Sequence, residues 1–147
     1  MTRDEILAMK PGRELDALVA ERVLGYKVVD VLPQGITYMA GKRKRWIKNP
    51  NYSTDVAAAW EVRSELLESH GGVELVRMCE KHPELCELTT SRWRDSKEQR
   101  VVIAVMADSM PEAVCKVALL AEIRDLEPFD TQGKRCDAWC RIAEEVS

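Results

Sequence analysis

Long apolar runs are missing from this sequence, and their absence excludes a bilayer-spanning helix. The opening MTRDEILAMK lacks the basic stub and apolar stretch of a secretory signal, so a cytoplasmic location is expected. Five cysteines, an odd number, argue against a disulfide framework. There is no P-loop, no Rossmann fingerprint and no G-x-S-x-G elbow. The only histidines, His70 and His82, sit beside no recognisable nucleophile motif. A hydrolase built from scattered carboxylates is the catalytic class these absences leave open; the expectation is a non-enzymatic protein. No internal repeat or low-complexity tract is apparent.

What is present is a chain of 147 residues, enough for one domain with a single core. At 46% hydrophobic and 32% charged it reads as globular rather than disordered. The net charge of -3 is unevenly spread. Residues 1–50 hold 10 Lys/Arg against 6 Asp/Glu, and residues 51–147 hold 12 against 19. A protein that coats DNA is usually basic throughout. Here the positive charge is concentrated in GKRKRWIK, Gly41 to Lys48.

Thr2 and Glu5 have capping-box spacing for a first helical turn. Leu15, Leu18, Val19 and Val23 recur at helical spacing, with Gly25 as the stop. YKVVDVLPQGITYMAG predicts a hairpin around Pro33-Gln34-Gly35. Ser53 is expected to cap the next helix, with Asp55 in its first turn and Val56, Ala59, Trp60, Leu66 and Leu67 on its apolar face. Val73 to Glu84 reads as a short helix, although VELV alone has strand character. Two strands follow, CELTTSRWRD and QRVVIAVMADS. Ser109 and Glu112 then repeat the capping-box spacing before a helix that is apolar on nearly every side and should be sandwiched. After a linker, Cys136, Trp139, Cys140 and Ala143 line one face of an expected C-terminal helix. The order predicts an α+β fold.

MTRDEILAMKPGRELDALVAERVLGYK, NYSTDVAAAWEV and MPEAVCKVALLA together resemble the phage ABA sandwich family of small phage and prophage proteins. The resemblance covers roughly residues 1–127. It implies an α/β/α sandwich and a phage or prophage source and brings no catalytic residues with it; with the strands read above, the expected sandwich has an antiparallel sheet of about four strands. Residues 128–147 would add a linker and the extra C-terminal helix. The Gly72–Leu88 stretch and the tail from Phe129 depart from the usual pattern.

Two readings stand at the basic segment. It is a solvated loop with Trp46 in the core and Ser53 as a plain cap, as charge runs usually are. Alternatively it is a ligand site: Arg43, Arg45 and Lys48 on phosphate, Trp46 or Tyr52 stacked on a base, and Ser53, Thr54 and Asp55 at a helix N-terminus facing the ligand. A second candidate is Cys79, His82 and Cys86, at i, i+3 and i+7. On a helix these share one face and, with Cys136 or Cys140, could hold zinc. The competing reading is buried thiols, and no other cofactor is expected.

The expected function is therefore a small phage-type binding protein, sequestering a nucleotide-derived signal of host antiviral defence by analogy with small phage proteins that act as sponges. The alternative is a structural or interaction module working through the Cys136–Ala143 face, with no small ligand. Single-stranded nucleic acid is a third reading of the basic segment, but the acidic balance of the chain sets the expectation against nucleic acid. No membrane partner is expected, and a homo-oligomer is.

Overall fold

The computed structural model describes residues 3–69, 73–78, 85–94 and 97–121. The elements in order are α1 (Arg3–Ala8), α2 (Arg13–Arg22), β1 (Lys27–Leu32), β2 (Gly35–Ala40), β3 (Arg43–Lys48), α3 (Val56–Ser69), β4 (Val73–Met78), β5 (Leu85–Arg94), β6 (Lys97–Met106) and α4 (Met110–Ala121). The fold is α+β, with antiparallel sheets flanked by helices, as expected. The strand count differs: among the described residues, six strands form two three-stranded meanders, β1-β2-β3 and β4-β5-β6, rather than one sheet of about four.

Two stretches account for the difference. The basic segment is β3, a strand rather than a loop. Val73–Met78 is β4, paired antiparallel with β5, rather than a helix. Val73 and Val76 suit a helical period and Val73 and Leu75 a strand period, and over so few residues tertiary pairing decides.

The core centres on α4. Every residue from Pro111 to Leu120 is buried, because α4 packs against α1, α2 and α3 as well as against β5 and β6. Strands β5 and β6 meet it with alternate residues: Cys86 and Leu88 are buried, directly opposite Val105 and Ile103. Leu15, Val19 and Ala20 of α2 and Ala59, Val62 and Leu66 of α3 complete this core. Each such leucine or valine contributes about 1.5–3 kcal/mol on burial. The lysine in α4 is accommodated by specific partners. Lys116 Nζ donates to the Leu7 carbonyl at 3.0 Å, one of the acceptors left open at the end of α1, and lies 3.7 Å from Glu112. Glu112 in turn accepts from the Asp108 N–H at 3.1 Å, one residue beyond the position a capping box requires.

The other meander packs on α2 through β1. Its β2–β3 connection is the two-residue turn Gly41-Lys42, with Gly41 at φ 65, a position that favours glycine. No helix among the described residues is long and apolar enough to cross a membrane. The Thr2 cap, the expected domain boundary near residue 127 and the expected C-terminal helix lie outside the described residues.

Candidate functional site

Strand alternation sorts the basic segment onto two faces. Ile47 lies opposite Ile36, which is fully buried, so Ile47, Arg45 and Arg43 share the inward side. Lys44, Trp46 and Lys48 share the outward side, opposite Met39, Thr37 and Gly35. Strand β1 adds Lys27, Asp30 and Leu32 to that outward face. Trp46 is 47% exposed, so it is not in the core. Its ring is seated over Gly35, where a Cβ would lie 2.6 Å from the indole and would also meet the Ile47 carbonyl. Glycine is required there by the close approach of ring and backbone.

Lys42, Arg43, Lys44, Arg45 and Lys48 are all exposed. None of the five makes a side-chain hydrogen bond or ion pair among the described residues. Elsewhere cations are consumed. Arg13 donates to the Pro33 carbonyl at 2.9 Å, the Pro50 carbonyl at 3.1 Å, Asn51 Oδ1 at 3.4 Å and Asp16 Oδ2 at 3.3 Å. It thereby ties α2 to the β1–β2 turn and to the segment leaving β3.

The second half of the predicted site is a separate structure. Ser53 is fully buried and does not cap α3. Its N–H and its hydroxyl both donate to Asp16 Oδ1, at 2.8 and 2.7 Å. The hydroxyl oxygen accepts from the Gly12 N–H at 2.9 Å. Burial pushes Asp16 above the ordinary carboxylate value, opposed by the two Ser53 bonds and the Arg13 charge. The cap of α3 is Asp55, whose Oδ2 accepts from the Ala58 N–H at 3.1 Å. Thr54 is exposed, and its N–H donates to the Asn51 carbonyl at 3.2 Å. Tyr52 is 6% exposed, and burial pushes its phenol up to about 12, with Tyr26, Glu61, Asp16 and Cys115 adding to the effect. Tyr52 and Ser53 are therefore core groups, closed to a ligand. Lys44, which shares the face of Trp46, is the member that sequence reasoning missed; the alternation from Ile47 backwards is the signal that marks it.

Cys79 and His82 lie outside the described residues. Cys86 is buried on β5, so the helical spacing argued for a zinc site does not extend to it. No group of three metal-binding side chains occurs among the described residues. Cys115 is buried nearby, and desolvation raises its thiol well above the usual value, with Asp16, Cys86 and Glu112 adding to the shift.

Two shallow clefts lie elsewhere. One, of about 370 Å³, is lined by Ala17, Leu18, Glu21 and Val28 to Val31. The other, of about 410 Å³, runs along Ala8 to Glu14. Neither includes a β3 residue.

A family model described as the phage ABA sandwich domain matches residues 17–119. That span takes in β3, α3, both sheets and most of α4. No curated protein and no solved structure matches the chain.

Proposed function

We propose, from the premise that the chain belongs to the phage ABA sandwich family, that it is a non-enzymatic protein holding a nucleotide-class ligand on the outward face of β1-β2-β3. The observation that carries this reading is the pair of exposed, unneutralised cations Lys44 and Lys48 on either side of a half-exposed indole, on a strand that carries three further exposed cations at its other face and turn. Like charges crowded on one strand repel, and a bound anion relieves that repulsion. Lysines on an edge strand also block pairing with other chains. That role accounts for the cations but not for an indole laid open between them. Lys44 and Lys48 suit phosphate oxygens, and Trp46 suits the face of a base. The ligand is held and released unaltered. Sequestering a signal nucleotide of host defence is the phage role this activity fits, by analogy with small phage proteins that act as sponges.

Titrating a nucleotide panel against the protein tests the reading through tryptophan fluorescence. Wild type is expected to bind, and both Trp46→Ala and the Lys44→Gln/Lys48→Gln double variant to lose at least tenfold in affinity. Equal binding by wild type and both variants would remove the site from this face.

A second reading, an interaction module without a small ligand, is favoured by α3. Val56, Trp60 and Leu67 are 51%, 42% and 36% exposed along one side of it. Arg63 lies over Trp60 at 5.0 Å in the same stripe. The partner on this reading is a second copy of the chain, meeting α3 to α3 about a two-fold axis. Light scattering should then show a dimer that Trp60→Asp converts to monomer; an unchanged mass counts against it.

A further inference from the structure

The outward face of β3 is a line rather than a pocket. Lys44, Trp46 and Lys48 stand at alternate positions of a six-residue strand, each about 6.8 Å from the next along the chain. The cations are thus strung on either side of the indole instead of converging on one point. Lys42 and Arg43 carry the positive charge on to the β2–β3 turn. Among the described residues, β3 pairs with β2 alone and stands at the edge of its sheet. A lone nucleotide held tightly is normally enclosed over most of its surface. On an open face, affinity comes from repeated contacts along a backbone, with a base stacked at each aromatic.

The acidic groups narrow the choice. Asp30 is on the same outward face, in the row Asp30–Thr37–Trp46, with its Oδ1 accepting from the Val31 N–H at 3.0 Å. It repels phosphate from β1 beside Trp46, while Lys27, in the row of Met39 and Lys44, adds a cation at the other end of the face. Residues 51–147 carry 19 acidic against 12 basic side chains, which disfavours the wide footprint of a duplex. An exposed indole, moreover, stacks only on a base that is free of its own stack.

We infer that the ligand of this face is a short single-stranded polynucleotide rather than a lone nucleotide; the inference rests on the reading of the face as a nucleotide-class site. The sequence expectation against nucleic acid rested on the acidic balance of the chain and the shortness of the basic segment, which weigh against a long track but not against a few nucleotides. As an extended strand it presents its charges in register with an extended ligand. Its length, about 20 Å, fits roughly four nucleotides.

The test compares thymidine monophosphate, dT4, dT8 and an eight-base-pair hairpin duplex on the full chain, at several salt concentrations. Expected are a rise in affinity of tenfold or more from the monophosphate to dT4 and weaker binding of the duplex. The log–log salt slope should be shallower by about 1.4 in Lys44→Gln/Lys48→Gln, at about 0.7 per phosphate contact removed. Equal affinity for monophosphate and dT4, lost in Trp46→Ala, overturns the polymer inference and leaves the nucleotide site standing. Duplex binding as tight as dT8 overturns the single-strand assignment. If neither monophosphate nor dT4 nor dT8 binds, both the inference and the reading beneath it fall.

Discussion

Replacing Ser53 by alanine is a sharp test of how the chain is tied together. The substitution removes a hydroxyl that donates to Asp16 at 2.7 Å and accepts from Gly12 at 2.9 Å. It leaves the Ser53 N–H on Asp16 in place. A hydrogen bond to a charged group is worth about 1.5–3 kcal/mol, and a stranded, partly buried N–H adds about 1 kcal/mol, giving roughly 2–4 kcal/mol. Urea unfolding reads this as a midpoint lowered by about 1–2 M at an unchanged slope of roughly 2 kcal/mol per M. The loss should be larger at neutral pH than in acid, because the deleted hydroxyl favours the ionised form of Asp16. Asp55→Ala provides the contrast, at about 1 kcal/mol for a lost N-cap. If Ser53→Ala costs less than Asp55→Ala, Ser53 behaves as an ordinary surface residue and the buried node is misread.

Asp16 also sets a pH dependence. Its folded value is raised above the ordinary 3.8, so the native state binds the proton more tightly than the unfolded chain. This contribution to stability is fully present below that value and is lost as pH rises through the folded one; Asp16→Asn should flatten the urea midpoint against pH across that window. Gly35→Ala drives a methyl into the Trp46 ring and the Ile47 carbonyl. The ring can swing but the carbonyl belongs to the paired strand, so a cost of about 1–3 kcal/mol is expected in thermal melts, with altered Trp46 emission. Cys115, buried with its thiol raised, should resist iodoacetamide in the native protein and react on unfolding, as peptide mapping would show; rapid native labelling would contradict its placement.

The helices were readable where burial writes a period into the sequence. Leu15, Val19 and Val23 lie in the core as their spacing predicts, and α4 is enclosed on all sides as its composition predicts. The pairing of β5 with β6 was readable for the same reason. Strand β3 was not, because polar residues occupy both of its faces and only Ile47 betrays the alternation. The misplacement of the helix cap has a different cause. Ser53, Thr54 and Asp55 can each cap a helix, and local sequence does not choose among them. The choice is made by Asp16, 37 positions away, which takes both donors of Ser53. Arg13 was likewise one cation among ten in the first fifty residues, and only the fold gathers its four acceptors. The candidate site was therefore only partly readable: Trp46 and Lys48 share the outward face, Arg43 and Arg45 fall on the other one, Lys44 takes their place beside Trp46, and Tyr52 and Ser53 belong to the scaffold.

The most direct test of the outward face is a titration with dT4 followed by two-dimensional NMR of the full chain. The account predicts that the Trp46 indole N–H and the amides of Lys44 to Lys48 shift together and saturate at one strand per site, while the Trp60 indole on α3 stays in place. Shifts centred on Trp60, or a spectrum that dT4 leaves unchanged, would contradict it.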